Sequence, residues 1–460
     1  MLAQDLLLGG TRAAHRAAAD TSEGAGFARA VLKVVVVAVI LFESMTADPP
    51  LRIGTYFHKG LESWSGLPVP LSLLEILLFI GVVAALASAV TERLQARLGW
   101  PMAIFSVFVV LGLVRGALGG GDMYIAMWES RYLFYVPAAF LIARLCLRSV
   151  EHVTALLGAG LVAAGVFAVE GVYRKLGLIN TGLLGVVPEQ YFEHDDVIFL
   201  ATFLIFAFSM FVFRVQGRLR VLSLLAAPPL FYTLLASNRR SGIVVLLIGV
   251  LVVALTLFVI NRRAFFAGAL PGLAALALFL ALTWNATGMA GQPARAIRSL
   301  YEPDARDAAS NVYRLIETYD ISATIHEEPI QGVGFGREFR MVIQLPDLSW
   351  WPFWRYETHN NVLWIWLKTG VYGYIAFWTL IGTAMSYAAF SAKRLQDPRL
   401  RSAALFSLVA LVGVVVYGWV DLAFVSGRTT VLLGTVLGLV AVLSRLDRPM
   451  PQRPAVVRDR

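Results

Sequence analysis

Apolar runs of about twenty residues recur along nearly the whole chain, and that is the length a helix needs to cross a hydrocarbon core. Their centres lie near Val37, Phe79, Val109, Pro137, Val162, Ala207, Leu225, Val250, Ala275, Phe377, Val412 and Leu437. Each run must be helical, because lipid offers no partner to a free backbone N–H or C=O. The pattern predicts an all-α polytopic membrane protein of about twelve spans.

The polar connections alternate in chemistry. Arg93 and Arg97, Arg144 and Arg148, Arg214 with Arg218 and Arg220, Arg262 and Arg263, Lys393 through Arg401, and the tail arginines 448, 453, 458 and 460 share one side. Lysine and arginine gather on the cytoplasmic side of membrane proteins, so both termini are expected inside. The first run, Val31 to Leu41, follows Arg29, includes Lys33 and lacks a small-residue cleavage pattern, so it is expected to stay as an anchor. The opposite side carries "PEQYFEHDD" and a segment of roughly seventy-five residues between the ninth and tenth runs. A connection that long is functional or disordered, and this one is rich in Trp, Tyr, Phe and Ile. Within it Val312, Leu315, Ile316 and Tyr319 fall on one helical face, and Pro329 ends that helix. The expected organisation is a membrane domain over 1–284 with nine spans, an ordered extracytoplasmic cap over 285–361, three further spans over 362–445, and a cytoplasmic tail over 446–460.

Composition agrees with this pattern and narrows the function. The chain has 460 residues, 58% of them hydrophobic and 15% charged, with a mean hydropathy of +0.70, which excludes a soluble domain. The net charge of +9 resides mainly in short loops and the tail, so topology accounts for it and no nucleic-acid partner is implied. A single cysteine, Cys146, rules out an intramolecular disulfide and gives no support for a Cys-based metal site.

Three places carry candidate chemistry. "SNRRSG", Ser237 to Gly242, sets Arg239 and Arg240 in a short turn on the outer side, where topology disfavours arginine. A guanidinium fork matches phosphate oxygens and keeps its charge, and the helix starting there offers free N–H groups; snorkelling to lipid headgroups is the competing explanation. Arg314 lies on the cap helix off its apolar face, where an ion pair with Glu317 is the plain alternative. Arg428, in "SGRTT", is a further outward arginine. Several outward cations around one vestibule form an anion site, with a membrane-bound pyrophosphate as the candidate ligand. The third place is "WRYETHNNVLWIWLKTG" from Trp354. Thr358, Asn360 and Asn361 are ordinary helix-start residues, but His359 is a poor cap, and an imidazole at that place can take a proton from a sugar hydroxyl.

Taken in order, "SNRRSG", "NVYRLIETYDISATIHEEPIQGVGFG" and "THNNVLWIWLKTGVYG" resemble the O-antigen ligase and O-antigen polymerase superfamily of bacterial envelope glycosyltransferases. The resemblance covers Ser237 to about Phe377, and the other spans only through hydropathy. It implies a GT-C-type membrane fold. It also implies a glycosyltransferase that takes glycan from an undecaprenyl-pyrophosphate-linked donor, at the outer face of the bacterial cytoplasmic membrane, without a nucleotide sugar, metal or other cofactor. The acceptor would be lipid A core or a growing polysaccharide. By motif position Arg240 and Arg314 would bind the pyrophosphate, with Arg239 competing for the first place and Arg428 as a further cation. His359 would be the base or orient the acceptor, Glu357 a second candidate base, and Asn360 an acceptor-positioning group. The turn departs from the family's Ser-Arg-Gly by reading Arg-Arg-Ser-Gly.

Other signals point elsewhere or nowhere. "GVGFG" has no strand before it and reads as a tight turn. "EHDD", Glu193 to Asp196, fits a solvated loop and helix start, with a divalent cation as the alternative. Glu75 and Asp421 are costly carboxylates in or near spans, and the Trp residues between 350 and 366 fit an interfacial belt. The competing function is a secondary transporter or flippase for an anionic or lipid-linked substrate. It would show an internal repeat and broken helices in matching positions, and no such repeat is seen.

Overall fold

The computed structural model describes residues 23–42, 71–89, 98–181 and 192–446. Its helices are α1 (Glu23–Leu41), α2 (Leu73–Ala89), α3 (Gly99–Leu118), α4 (Met123–Cys146), α5 (Val150–Tyr173), α6 (Asp196–Val212) and α7 (Arg218–Ala236). They continue as α8 (Arg240–Ile260), α9 (Arg262–Leu282), α10 (Gln292–Arg298), α11 (Ala305–Glu327), α12 (Asn361–Arg394), α13 (Pro398–Gly418) and α14 (Gly427–Leu446). Each predicted centre falls in a separate one of these helices, with only α10 and α11 left over. Eight of the described helices are long and apolar enough to cross a membrane, and α2, α6 and the apolar part of α14 are shorter. The chain is an all-α, multi-pass membrane protein. Arg93, Arg97, the beginning of "PEQYFEHDD" and the tail beyond Leu446 lie outside the described residues.

Lipid gives apolar side chains no reason to leave it, so helices in a membrane hold together by close packing of small residues. The contact of α4 with α14 shows this. A Cβ at Gly434 would stand 2.3 Å from the Val136 carbonyl, and one at Gly438 would stand 2.9 Å from that of Phe140. By contrast α9 buries none of its apolar window against the rest of the described chain. At the end of α12 away from its first turn, Arg399 reaches 3.7 Å from Glu151, joining two of the basic connections.

Between α9 and α12 the chain forms α10, α11 and an irregular strap that returns over the helix ends. The glycine-rich turn is the strap's anchor. Gly332, Gly334 and Gly336 all have positive φ (66°, 86° and 77°), a region open to glycine at no steric cost. The turn presses so tightly on α3 that a Cβ at Gly116 would come 1.8 Å from the Phe335 carbonyl oxygen. The Val333 N–H donates to the Leu367 carbonyl at 2.8 Å, and the Gly336 N–H to Glu129 at 2.6 Å. Glu129 is itself 2.8 Å from Lys368, and both side chains are wholly buried. A buried pair of this kind needs its remaining valences filled; Lys368 also donates to the Arg337 carbonyl at 2.7 Å.

The amphipathic pattern of α11 is oriented opposite to the usual sense. Val312, Leu315 and Tyr319 are exposed, whereas Glu317, Asp320, Ile321 and Thr324 are buried. The inward acids have partners. Asp320 accepts the N–H groups of Val342 and Ile343, each at 3.0 Å, which ties the strap to the helix, and Glu317 serves the site described next.

Candidate functional site

The start of α12 is built to hold one histidine. Asn360 caps the helix, its side-chain oxygen accepting the Leu363 N–H at 3.2 Å. Asn361 donates to the Thr358 carbonyl at 2.6 Å and accepts the Phe424 N–H at 2.6 Å. These bonds fix the backbone on both sides of His359. Glu317, fully buried on α11, then receives the His359 backbone N–H at 2.7 Å and sits 3.2 Å from its Nδ1. A carboxylate accepts only, so the hydrogen in the Nδ1 contact belongs to His359, and Nε2 is the ring nitrogen that Glu317 does not engage. Tyr313 stands edge-on to the imidazole, ring centroids 5.6 Å apart.

Arg314 follows Tyr313 and lies about one turn before Glu317. Among the described residues it pairs with Asp421, at 3.9 Å, and not with Glu317, and its Nε is buried without a hydrogen-bond partner there. Asp421, in the connection between α13 and α14, is the centre of the charge array. His194 Nδ1 is 3.0 Å from it, and His194 Nε2 is 3.0 Å from Arg239. Burial works against the charged Asp421 carboxylate, yet His194, Arg314 and His359 together hold it below the usual carboxylate range. Arg314 meets this carboxylate directly and Arg239 reaches it through His194, while His359 is tied to the same helix as Arg314 through Glu317.

The two arginines of "SNRRSG" differ in how firmly they are held. Arg239 donates to the Phe192 carbonyl at 2.6 and 3.2 Å as well as meeting His194. Arg240, which opens α8, makes long contacts among the described residues: Ser299 at 3.3 Å, Asn311 at 3.4 Å and Asp307 at 3.5 Å.

Two expected site residues are placed differently. Arg428 is wholly buried, bonded to Asp195 at 2.9 Å, to Asp196, and to the carbonyls of Val39 at 2.6 Å and Ile40 at 3.2 Å. Its guanidinium is saturated by the protein itself and joins α1, α6 and α14, so it does not face the other cations. That pairing also consumes the aspartates of "EHDD", which are buried rather than solvated. Glu357 lines a neighbouring cavity that His359 does not line. Burial, reinforced by the negative charge of Glu129, pushes its carboxyl well above the ordinary range. Burial of this kind disfavours the ionised form that a base needs. Asn360 spends its side-chain oxygen on the helix cap, as its type favours.

Sequence reasoning gave Glu317 only the role of a surface partner to Arg314, considered His194 for a metal, and left Asp421 without a role. The available signal for Glu317 was its position: an acid one turn from Arg314 on a helix whose apolar face is complete without it.

Two comparisons bear on this arrangement. Residues 224–378 match the family model described as O-Antigen ligase. The O-antigen ligase of Salmonella typhimurium is 25% identical over 239 residues, which is 50% of this chain and 55% of that protein. The chain thus spans about half the length of the curated relative it matches. The matched segment contains Arg239, Arg240, Arg314, Glu317 and His359, and the two comparisons support placing this multi-pass membrane chain with the O-antigen ligase and polymerase superfamily.

Proposed function

We propose that the protein is a glycosyltransferase of the O-antigen ligase or polymerase type. It moves glycan from an undecaprenyl-pyrophosphate-linked donor to a hydroxyl of an acceptor glycan, either lipid A core or a growing polysaccharide, at the outer face of the cytoplasmic membrane. The observation that carries this reading is the buried Glu317 carboxylate aligning His359 beside Arg314.

In the reaction His359 Nε2 takes the proton of the acceptor hydroxyl while that oxygen bonds to the anomeric carbon. The bond from that carbon to the pyrophosphate oxygen breaks, and undecaprenyl pyrophosphate departs as an anion. Glu317 keeps the tautomer and steadies the imidazolium that forms. Arg314 and Arg240, whose own contacts are long, turn to the departing phosphates and neutralise the developing charge without a metal ion. Arg239, more tightly bound, holds His194 and so the array behind them. A single displacement inverts the anomeric configuration.

The test is to give purified protein undecaprenyl-pyrophosphate-linked glycan and an acceptor glycan. A new glycosidic bond with release of undecaprenyl pyrophosphate is expected. Net movement of the lipid-linked substrate across a bilayer with no new bond would instead favour a transporter.

A further inference from the structure

A cavity of about 300 Å³ lies beside the array and is not used by the reaction steps above. Trp128, Tyr132 and Tyr135 come from one face of α4, Trp351 and Phe353 from the strap, and Tyr417 from the end of α13. The rings fall in two groups: Trp128 to Phe353 is 6.3 Å between centroids and Trp351 to Phe353 is 6.5 Å, and Tyr132 to Tyr135 is 5.7 Å. Arg131 stacks on Trp128, 4.2 Å from its centroid, and is fixed by Glu75 at 2.7 Å.

Polar groups are set among these rings. Glu357, Glu193 and His194 line the same space. In the wall residues, Trp128 Nε1 and Tyr417 Oη are buried and have no hydrogen-bond partner among the described residues. Those two atoms lie behind the wall surface; the groups that line the cavity and need partners are the carboxyls of Glu357 and Glu193 and the His194 ring, and a ligand there must supply hydrogen-bonding groups to them. An isoprenoid tail offers none. A sugar ring offers hydroxyls around its edge and apolar C–H faces above and below, which matches flat rings interleaved with donors and acceptors. The volume is at the lower limit of small-ligand pockets, about 300 Å³, so it suits a short stretch of glycan rather than a long one.

We infer that this cavity is a saccharide subsite, which takes pyranose rings against Trp128, Trp351 and Phe353 and reads their hydroxyls through Glu357, Glu193 and Arg131. Its shared wall residue His194 puts it next to the proposed pyrophosphate site. The inference rests on the glycosyltransferase reading and names where the sugar sits. The rings belong to either the donor glycan or the acceptor glycan.

The experiment uses the full chain in lipid nanodiscs, as wild type, Trp351→Ala and Trp351→Tyr. Two probes are titrated for binding: undecaprenyl pyrophosphate without sugar, and the lipid-linked glycan extracted from cells lacking this protein. KM for donor and for acceptor is measured in the transfer assay. Trp351→Ala should raise the KM of one substrate about tenfold, the size of a lost aromatic contact, and Trp351→Tyr should restore most of it. A rise in the donor KM, with weaker binding of the glycan-bearing probe alone, identifies the donor sugar; a rise in the acceptor KM identifies the acceptor. Equal weakening of both binding probes would overturn the inference in favour of a carrier-binding cavity. No change in binding or in either KM would overturn it as a structural void. If wild type forms no glycosidic bond, the glycosyltransferase reading fails. The cavity is then judged by the binding arm, where weaker binding of the glycan-bearing probe alone supports a saccharide subsite and any other result overturns it.

Discussion

Replacing Glu317 by glutamine isolates the group that aligns the proposed base. The side chain keeps its size in a fully buried position, and its carbonyl oxygen can still accept the His359 backbone N–H, now at 2.7 Å. What is lost is the negative charge facing Nδ1 at 3.2 Å. A hydrogen bond to a charged group contributes about 1.5–3 kcal/mol. If that is spent on the imidazolium of the transition state, kcat falls about 10- to 150-fold at a tenfold loss per 1.36 kcal/mol. The assay is steady-state transfer between lipid-linked glycan and acceptor, with the thermal midpoint followed in parallel. Because the two residues act as a unit, the double variant Glu317→Gln/His359→Ala should be no slower than His359→Ala alone. Full multiplication of the two single losses, or a Glu317→Gln enzyme with unaltered kcat, would refute the pairing as a catalytic one.

Arg314→Lys retains the charge but not the planar fork, and should weaken binding of undecaprenyl pyrophosphate about tenfold by equilibrium titration, in line with the loss of a bidentate contact. Arg428→Ala leaves Asp195 and Asp196 buried without their cation and should cost about 3–5 kcal/mol of stability; little folded protein is expected on size-exclusion, whereas a stable variant with only kcat reduced would return Arg428 to the reaction. Glu357 has a raised folded pKa, so its contribution to stability is complete below the unfolded carboxyl value of about 4.3 and is lost as pH rises towards the folded value. The thermal midpoint of wild type should fall through that interval, and Glu357→Gln should flatten the profile.

The helices were legible because hydropathy records a solvent, and the bilayer imposes both length and periodic absence of charge. Every predicted centre from Val37 to Leu437 lies in a helix of its own. The candidate residues stand out in the sequence as types out of place: arginines in a connection expected on the outer side, and a histidine at a helix start. Their partners were not, since a partner is fixed by tertiary approach rather than by spacing. Nothing near Arg428 in sequence announces Asp195 and Asp196, more than two hundred residues earlier, or the carbonyls at the end of α1. Nor does the chain around Glu357 show that it faces aromatic rings from α4. In α11 the period was read correctly, but which face turns inward was decided by Glu317 and Asp320, whose bonds to His359 and the strap outweigh the exposure of Val312, Leu315 and Tyr319.

The central claim is that a diphosphate binds between α8, α11 and the start of α12. A structure of the protein with bound undecaprenyl pyrophosphate tests it most directly. Phosphate oxygens should lie about 3 Å from guanidinium nitrogens of Arg314 and Arg240, on the side of His359 that presents Nε2. A diphosphate seated instead at the basic end near Arg399, with Arg314 still turned to Asp421, would contradict it.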